Sequence, residues 1–236
     1  MMKVNRADES QSCLRICKMT IDMVREVSDL HMNAFKGSMN TRLGNVYLQR
    51  FFDWFVRLEH GISLVGILKT AETEQIVGYV VGAPLDYGKA LNRDLFWVAA
   101  WNTVIRPWLF LNRQFRENVS ARIGSFGKTS KVPSFQVELP APAMSLVGLA
   151  ILPSFQGKGF GKKMLRAFED QAGTLQVRSL RLSVFPENSA ARCAYEKCGW
   201  LPYESVPNSG KAMHYYKILP KKEDKLLDSP APVLIN

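Results

Sequence analysis

The 236 residues contain no Cys-x-x-Cys pair, and no histidine stands at ligand spacing from a cysteine. That excludes the common zinc arrangements and leaves no metal site to expect. No base-reading helix signature and no zinc-finger spacing occur, so nucleic acid is the weakest of the partners that a net charge of +10 suggests. The start of the chain lacks the charged-then-apolar pattern of a secretory signal; residues 1–12 are polar and mixed in charge and read as a flexible tail. We therefore expect a cytoplasmic protein whose four cysteines, Cys13, Cys17, Cys193 and Cys198, are reduced and buried. A clean membrane span is missing too. The most apolar stretch, residues 95–111, is short and is interrupted by Asn102, Arg106 and Pro107.

What the chain does contain is an ordinary apolar fraction and a succession of short periodic segments, expected to form one domain over residues 13–219 with a flexible tail at 220–236. Leu14 and Ile16 mark a first strand. Thr20 is the expected cap of a helix carrying Met23, Val27, Leu30 and Ala34, which stops near Lys36-Gly37. A single second helix is expected from Thr41 to Leu58. The runs 62–68 and 76–83 read as a hairpin. Residues 84–142 then intervene, far longer than an ordinary connection. Two helices broken at Pro107 are expected there, forming a lid over the core, with a peripheral membrane surface through 95–111 or a homodimer contact as alternatives.

Leu146 to Leu152 is an apolar run closed by Pro153, too short for a buried helix and read as a central strand. It is followed by Gln156, Gly157, Lys158, Gly159, Phe160 and Gly161, and then by a helical pattern at Phe160, Met164, Leu165 and Phe168. A strand, a glycine turn and a helix start gather backbone N–H groups toward an anion, and Lys158, Lys162 and Lys163 add positive charge. The functional reading is a pyrophosphate cradle; the plain reading is a strand-to-helix turn. The glycine spacing fits neither the nucleoside-triphosphate loop nor the dinucleotide G-x-G-x-x-G pattern. Further on, a strand over 178–185 ends at Pro186, Asn188 caps a helix with Ala191, Ala194, Tyr195 and Cys198 on one face, and Gly199 ends it. Strands at 200–205 and 213–219 complete the pattern.

The string Gln156-x-x-Gly159-x-Gly161, followed by Asn188 and by Tyr195-Glu-Lys-x-Gly199-Trp200, resembles the acetyl-CoA motifs of the GNAT superfamily of N-acetyltransferases. The resemblance is tight from Leu146 to Trp200 and extends to Leu14–Ala83 only as an element order. With its inserted helical region the chain resembles uncharacterised bacterial members. The resemblance implies an α/β (α+β) fold: a mixed, twisted sheet with helices on both faces. It implies transfer of an acetyl group from acetyl-CoA to a primary amine of a small molecule, an amino sugar among the candidates. Longer acyl chains, protein amines and a non-catalytic acyl-CoA sensor stay open as alternatives. It further implies that the coenzyme meets Leu149, Ala150 and Ile151 on the strand, residues 156–162 in the cradle, and Asn188. Tyr195 would protonate the departing sulfur, although the same residue also reads as a core tyrosine. Phe35, Lys36, Gly37 and Ser38 would line the acceptor site or form an ordinary turn. The carboxylate that many members carry at the start of the central strand is lacking: Met144, Ser145 and Leu146 are not acidic. Glu138 is the nearest upstream carboxylate and the candidate base, with Asp86, His31, His60 or a water chain as alternatives.

Overall fold

The computed structural model describes residues 13–69, 73–104, 139–203 and 212–220. Its frame is a seven-stranded sheet in the order β1-β2-β3-β4-β5-β7-β6. The strands are β1 Cys13–Lys18, β2 Ile62–Lys69, β3 Glu74–Pro84, β4 Ala143–Ile151, β5 Ser179–Val184, β6 Leu201–Tyr203 and β7 Met213–Ile218. Only β4 and β5 run parallel; every other pair is antiparallel.

The near-continuous apolar runs of β2 and β3 are explained by cover on both faces. On one side Val65, Ile67, Tyr79 and Val81 pack with α1 Val24–Ala34 and α3 Asn45–Arg57, around Phe52 and Phe55, which are fully buried. On the other, Leu64, Val77 and Val80 pack with Met164, Leu165 and Phe168 of α5 Phe160–Thr174. This second core continues to Tyr195 of α6 Ser189–Lys197 and to Trp200.

Glycines let α5 lie close to the sheet. A Cβ on Gly66 would come 2.9 Å from Met164 Sδ, and one on Gly82 would meet the Phe168 ring. We expect Gly82→Ala to cost about 1–3 kcal/mol through overpacking, because a ring and the Ser145 carbonyl stand in the way. Urea denaturation checks this, and a loss below about 0.5 kcal/mol would mean that the helix moves aside freely.

Several sequence expectations are corrected. Thr20 makes no side-chain cap bond; a 3₁₀ turn over Ile21–Met23 precedes α1 instead. The second helix is not continuous. It is divided into α2 Met39–Leu43 and α3 by Gly44, whose φ of 90° no helical residue adopts. Cys193 is exposed, not buried. The inserted region begins with α4 Tyr87–Val104, eight residues earlier than the apolar stretch suggested. Phe96 and Trp97 on it are exposed. Pro107 and Glu138 lie outside the described residues, as does the expected tail at either end. Among the described residues no helix is long and apolar enough to cross a membrane, and no group of side chains is arranged to hold a metal ion.

Candidate functional site

The sheet comes apart at its centre. β4 and β5 are in register only from Ala143–Ser179 to Ser145–Arg181. Beyond Ser145, β4 stays paired to β3 as far as Ile151 and Gly78, so its other edge, Leu146 to Ile151, has no neighbouring strand among the described residues. Backbone groups there are committed to no ladder and can serve an extended ligand as a strand would. Leu149, Ala150 and Ile151 lie on this stretch, with Leu149 half-buried and the other two buried.

The cradle sits at the end of the same strand. After Ile151 a short 3₁₀ turn, Pro153–Phe155, leads to Gln156, whose side-chain amide donates to the Ile151 carbonyl at 3.0 Å. The glutamine thus ties the loop to the strand it leaves. Gly157 and Gly159 both have φ of 78°, the left-handed region where a side chain is strained, and open space lies where their Cβ atoms would be. Among the described residues the amides from Gly157 to Lys162 donate to no backbone carbonyl, the first such bond into the helix being from Lys163 to Gly159 at 3.2 Å. Lys158 and Lys163 lie over the rings of Phe155 and Phe160 at 5.7 and 5.9 Å, and those rings stack on each other. Lys162 is exposed at the first turn. The result is a row of uncommitted donors at the positive end of a fifteen-residue helix.

Asn188 caps α6: its Oδ1 accepts from the Ala191 amide at 3.2 Å. Tyr195 projects from that helix into the second core beside Trp200 and Tyr215, with ring centroids 6.0 and 6.1 Å away. Burial pushes its phenol up to about 12. Its hydroxyl makes no hydrogen bond among the described residues. A half-buried clamp fixes α6 against α5. Glu169 accepts from Trp200 Nε1 and from Lys217 Nζ, each at 2.7 Å, and Lys217 also donates to the Cys198 carbonyl at 2.6 Å. The sequence analysis missed Glu169 and Lys217. Their signal was faint: a glutamate on one helix and a lysine beside two tyrosines in a short strand.

The turn Phe35–Ser38 is built by its own hydrogen bonds. Ser38 Oγ accepts from the Thr41 amide at 3.2 Å, the Phe35 carbonyl accepts from Thr41 Oγ1 at 2.9 Å, and Arg42 Nε donates to the Gly37 carbonyl at 2.9 Å. Phe35 is half-buried and Lys36 exposed. Among the candidate bases, Asp86 is in an exposed turn after β3, and His60 stands on an exposed turn with Glu59 3.9 Å away.

His31 is different. It is buried in the last turn of α1, and its Nδ1 lies 2.7 Å from the Tyr79 hydroxyl of β3. Burial holds it down to about 4. A group depressed in the folded state contributes stability above its unfolded value of 6.5 and loses it as pH falls toward 4. We expect the loss of unfolding free energy across that window to be smaller in His31→Gln by about 3 kcal/mol, from a shift worth 1.36 kcal/mol per unit. Urea titrations at pH 7 and pH 4 check it; equal losses in both proteins would contradict a neutral buried imidazole.

Comparison with known proteins agrees with this geometry. Residues 121–200 match the family model described as "Acetyltransferase (GNAT) family", a span holding the cradle, Asn188 and Tyr195. No curated protein matches the chain. Among solved structures, a protein from Acinetobacter baylyi ADP1 superposes with a TM-score of 0.58 at 12% identity, covering 91% of this chain and 96% of its own. The acetyltransferase of GNAT family from Streptococcus pneumoniae gives 0.53 at 14% identity, with 88% and 100% covered. The NatC complex bound to Gag peptide and CoA gives 0.51 at 15%, with 88% and 99% covered. Residues 121–200 thus match the GNAT acetyltransferase family model, and nearly the whole chain shares the fold of these solved structures.

Proposed function

We propose that the protein transfers the acetyl group of acetyl-CoA to a primary amine of a small molecule, an amino sugar being one candidate. The observation that carries this reading is the parting of β4 from β5 after Ser145, directly continuous with the uncommitted amides of Gly157 to Lys162. Acetyl-CoA has a charged diphosphate, an extended amide-bearing arm and a thioester, in that order. The chain offers a donor row, a bare strand edge and a phenol in the same order.

In this reading the cradle amides and the helix dipole hold the diphosphate, and the glycines keep Cβ atoms out of its way. The edge from Leu146 to Ile151 pairs with the arm, and Asn188, the cap of α6, meets the coenzyme. Tyr195 faces the sulfur. Its phenol, raised to about 12, holds its proton more tightly than a thiol does, so it donates a hydrogen bond to the departing thiolate and does not surrender the proton ahead of it. The amine is activated without a carboxylate on β4, since that strand presents only apolar residues and Ser145.

Free thiol release from acetyl-CoA tests the reading, using a panel of ethanolamine, glucosamine, spermidine and a short peptide. Turnover with glucosamine or another small amine supports it. Turnover with the peptide alone would replace it with a protein acetyltransferase, and tight binding of acetyl-CoA without any turnover would replace it with a sensor.

A further inference from the structure

The His31–Tyr79 pair is not used by the scheme above, and its protons do not add up. A neutral imidazole and a phenol carry two acidic protons between them, and the single hydrogen bond joining them satisfies one. Tyr79 and His31 have no other hydrogen-bond partner among the described residues, and His31 Nε2 is wholly buried with none. Two arrangements remain. In one, Tyr79 donates to Nδ1 and the spare proton sits on Nε2. In the other, Nδ1–H donates to the phenol oxygen, Nε2 is bare, and the spare proton belongs to the Tyr79 hydroxyl.

Surroundings decide between them. His31 packs against the rings of Phe35 and Phe52, with centroids 4.9 and 5.7 Å away. Among the described residues no charged group acts on it, and Tyr79 is the one titratable side chain bonded to it. An orphaned N–H there costs more than a bare nitrogen lone pair. The Tyr79 oxygen is placed otherwise. Tyr79 pairs with Ala150 in register, yet its ring leans over Gly148: a Cβ on that glycine would lie 3.4 Å from the ring and 3.5 Å from the hydroxyl. Gly148 belongs to the stretch of β4 that has parted from β5. Tyr195 is near enough that its charge would raise the Tyr79 phenol further, on top of burial.

We infer that Tyr79 is a catalytic hydrogen-bond donor: with its oxygen held by Nδ1–H of His31, its O–H is aimed across Gly148 at the thioester carbonyl oxygen. When the amine nitrogen forms its bond to the carbonyl carbon, the carbonyl electron pair moves onto oxygen, and the hydrogen bond becomes charge-assisted. When that pair returns, the carbon–sulfur bond breaks, its electrons leave on sulfur, and the proton that the new amide nitrogen sheds is taken up, directly or through water, by that thiolate. Tyr79 keeps its proton throughout. His31 is a positioning residue, acting only through the direction it gives the phenol. This rests on the proposed reading of the gap as the thioester site.

Two measurements test it without knowing the acceptor. Nitrogen NMR of the full-length protein, with His31 assigned through His31→Gln, is expected to show the Nδ1–H tautomer; the Nε2–H tautomer would overturn the inference outright. Infrared difference spectra with carbonyl-¹³C acetyl-CoA are expected to show a lowered carbonyl stretch in the wild type that reverts in Tyr79→Phe; an identical stretch in both overturns it. If acetyl-CoA does not bind the wild type, the proposed function fails, and the tautomer still decides the hydrogen-bond direction. With any amine that turns over, Tyr79→Phe should lower kcat about 10²-fold, as loss of one oxyanion donor does, with the KM for that amine unchanged. A change confined to KM would instead mark Tyr79 as a packing residue.

Discussion

Gly159→Glu is expected to abolish tight acetyl-CoA binding, raising the dissociation constant at least about 100-fold, or about 2.7 kcal/mol. Three effects add. The backbone at Gly159 has φ of 78°, which costs an ordinary residue about 1–2 kcal/mol. The new carboxylate would stand at the cap position of α5, where it would accept from the very amides proposed to hold the diphosphate. Its charge would also repel the incoming anion. Folding should lose that backbone strain and little more, because open space surrounds the position and a negative charge at a helix N-terminus is favourable. Calorimetric titration and a thermal melt separate the two effects, and Gly159→Ala isolates the backbone strain. An unchanged dissociation constant in Gly159→Glu would place the diphosphate elsewhere.

That experiment bears on a stretch whose sequence was unusually legible. The cradle could be read because its requirements are local: glycine where φ is positive, a strand that ends at Pro153, and a helix that begins with an apolar stripe. Asn188 and Gly199 could be read for the same reason, each doing a job that few residue types can do. The strands β2 and β3 were visible as apolar runs. The misses share a different cause. Gly44 divides a pattern whose periodicity alone spells one helix, and only its backbone angle reveals the break. Ser38 was placed in a turn, but its role as cap of α2 depends on Thr41 folding back onto Phe35. The Glu169–Lys217–Trp200 clamp and the His31–Tyr79 pair join residues 31 to 48 positions apart, and no short-range pattern announces either. In the sequence His31 reads as one alternative base. Its burial and its bond to Tyr79 support instead the positioning role proposed above, which neither its type nor its spacing suggests. The parting of β4 from β5 could not be read, since nothing in the residues of either strand says where pairing stops.

Tyr195→Phe should lower kcat about 10²-fold and leave acetyl-CoA affinity within about 2-fold. The ring's contacts with Trp200 and Tyr215 survive the substitution, and the lost hydroxyl has no hydrogen-bond partner among the described residues to strand. Stability should therefore change by less than about 0.5 kcal/mol. The pH profile carries the sharper test. A phenol raised to about 12 stays protonated through the whole working range, so no alkaline decline of kcat below pH 10 should belong to it. Burial lifts the Tyr195 phenol above its ordinary value, which disfavours complete proton transfer from it to the thiolate. The residue then acts by donating a hydrogen bond that strengthens as charge builds on sulfur. It follows that the wild-type and Tyr195→Phe profiles should be parallel between pH 7 and 10, displaced by a constant factor. Profiles that converge as pH rises would show a phenol ionising in that range. Coincident profiles would leave Tyr195 as a core residue, with the sulfur leaving unaided.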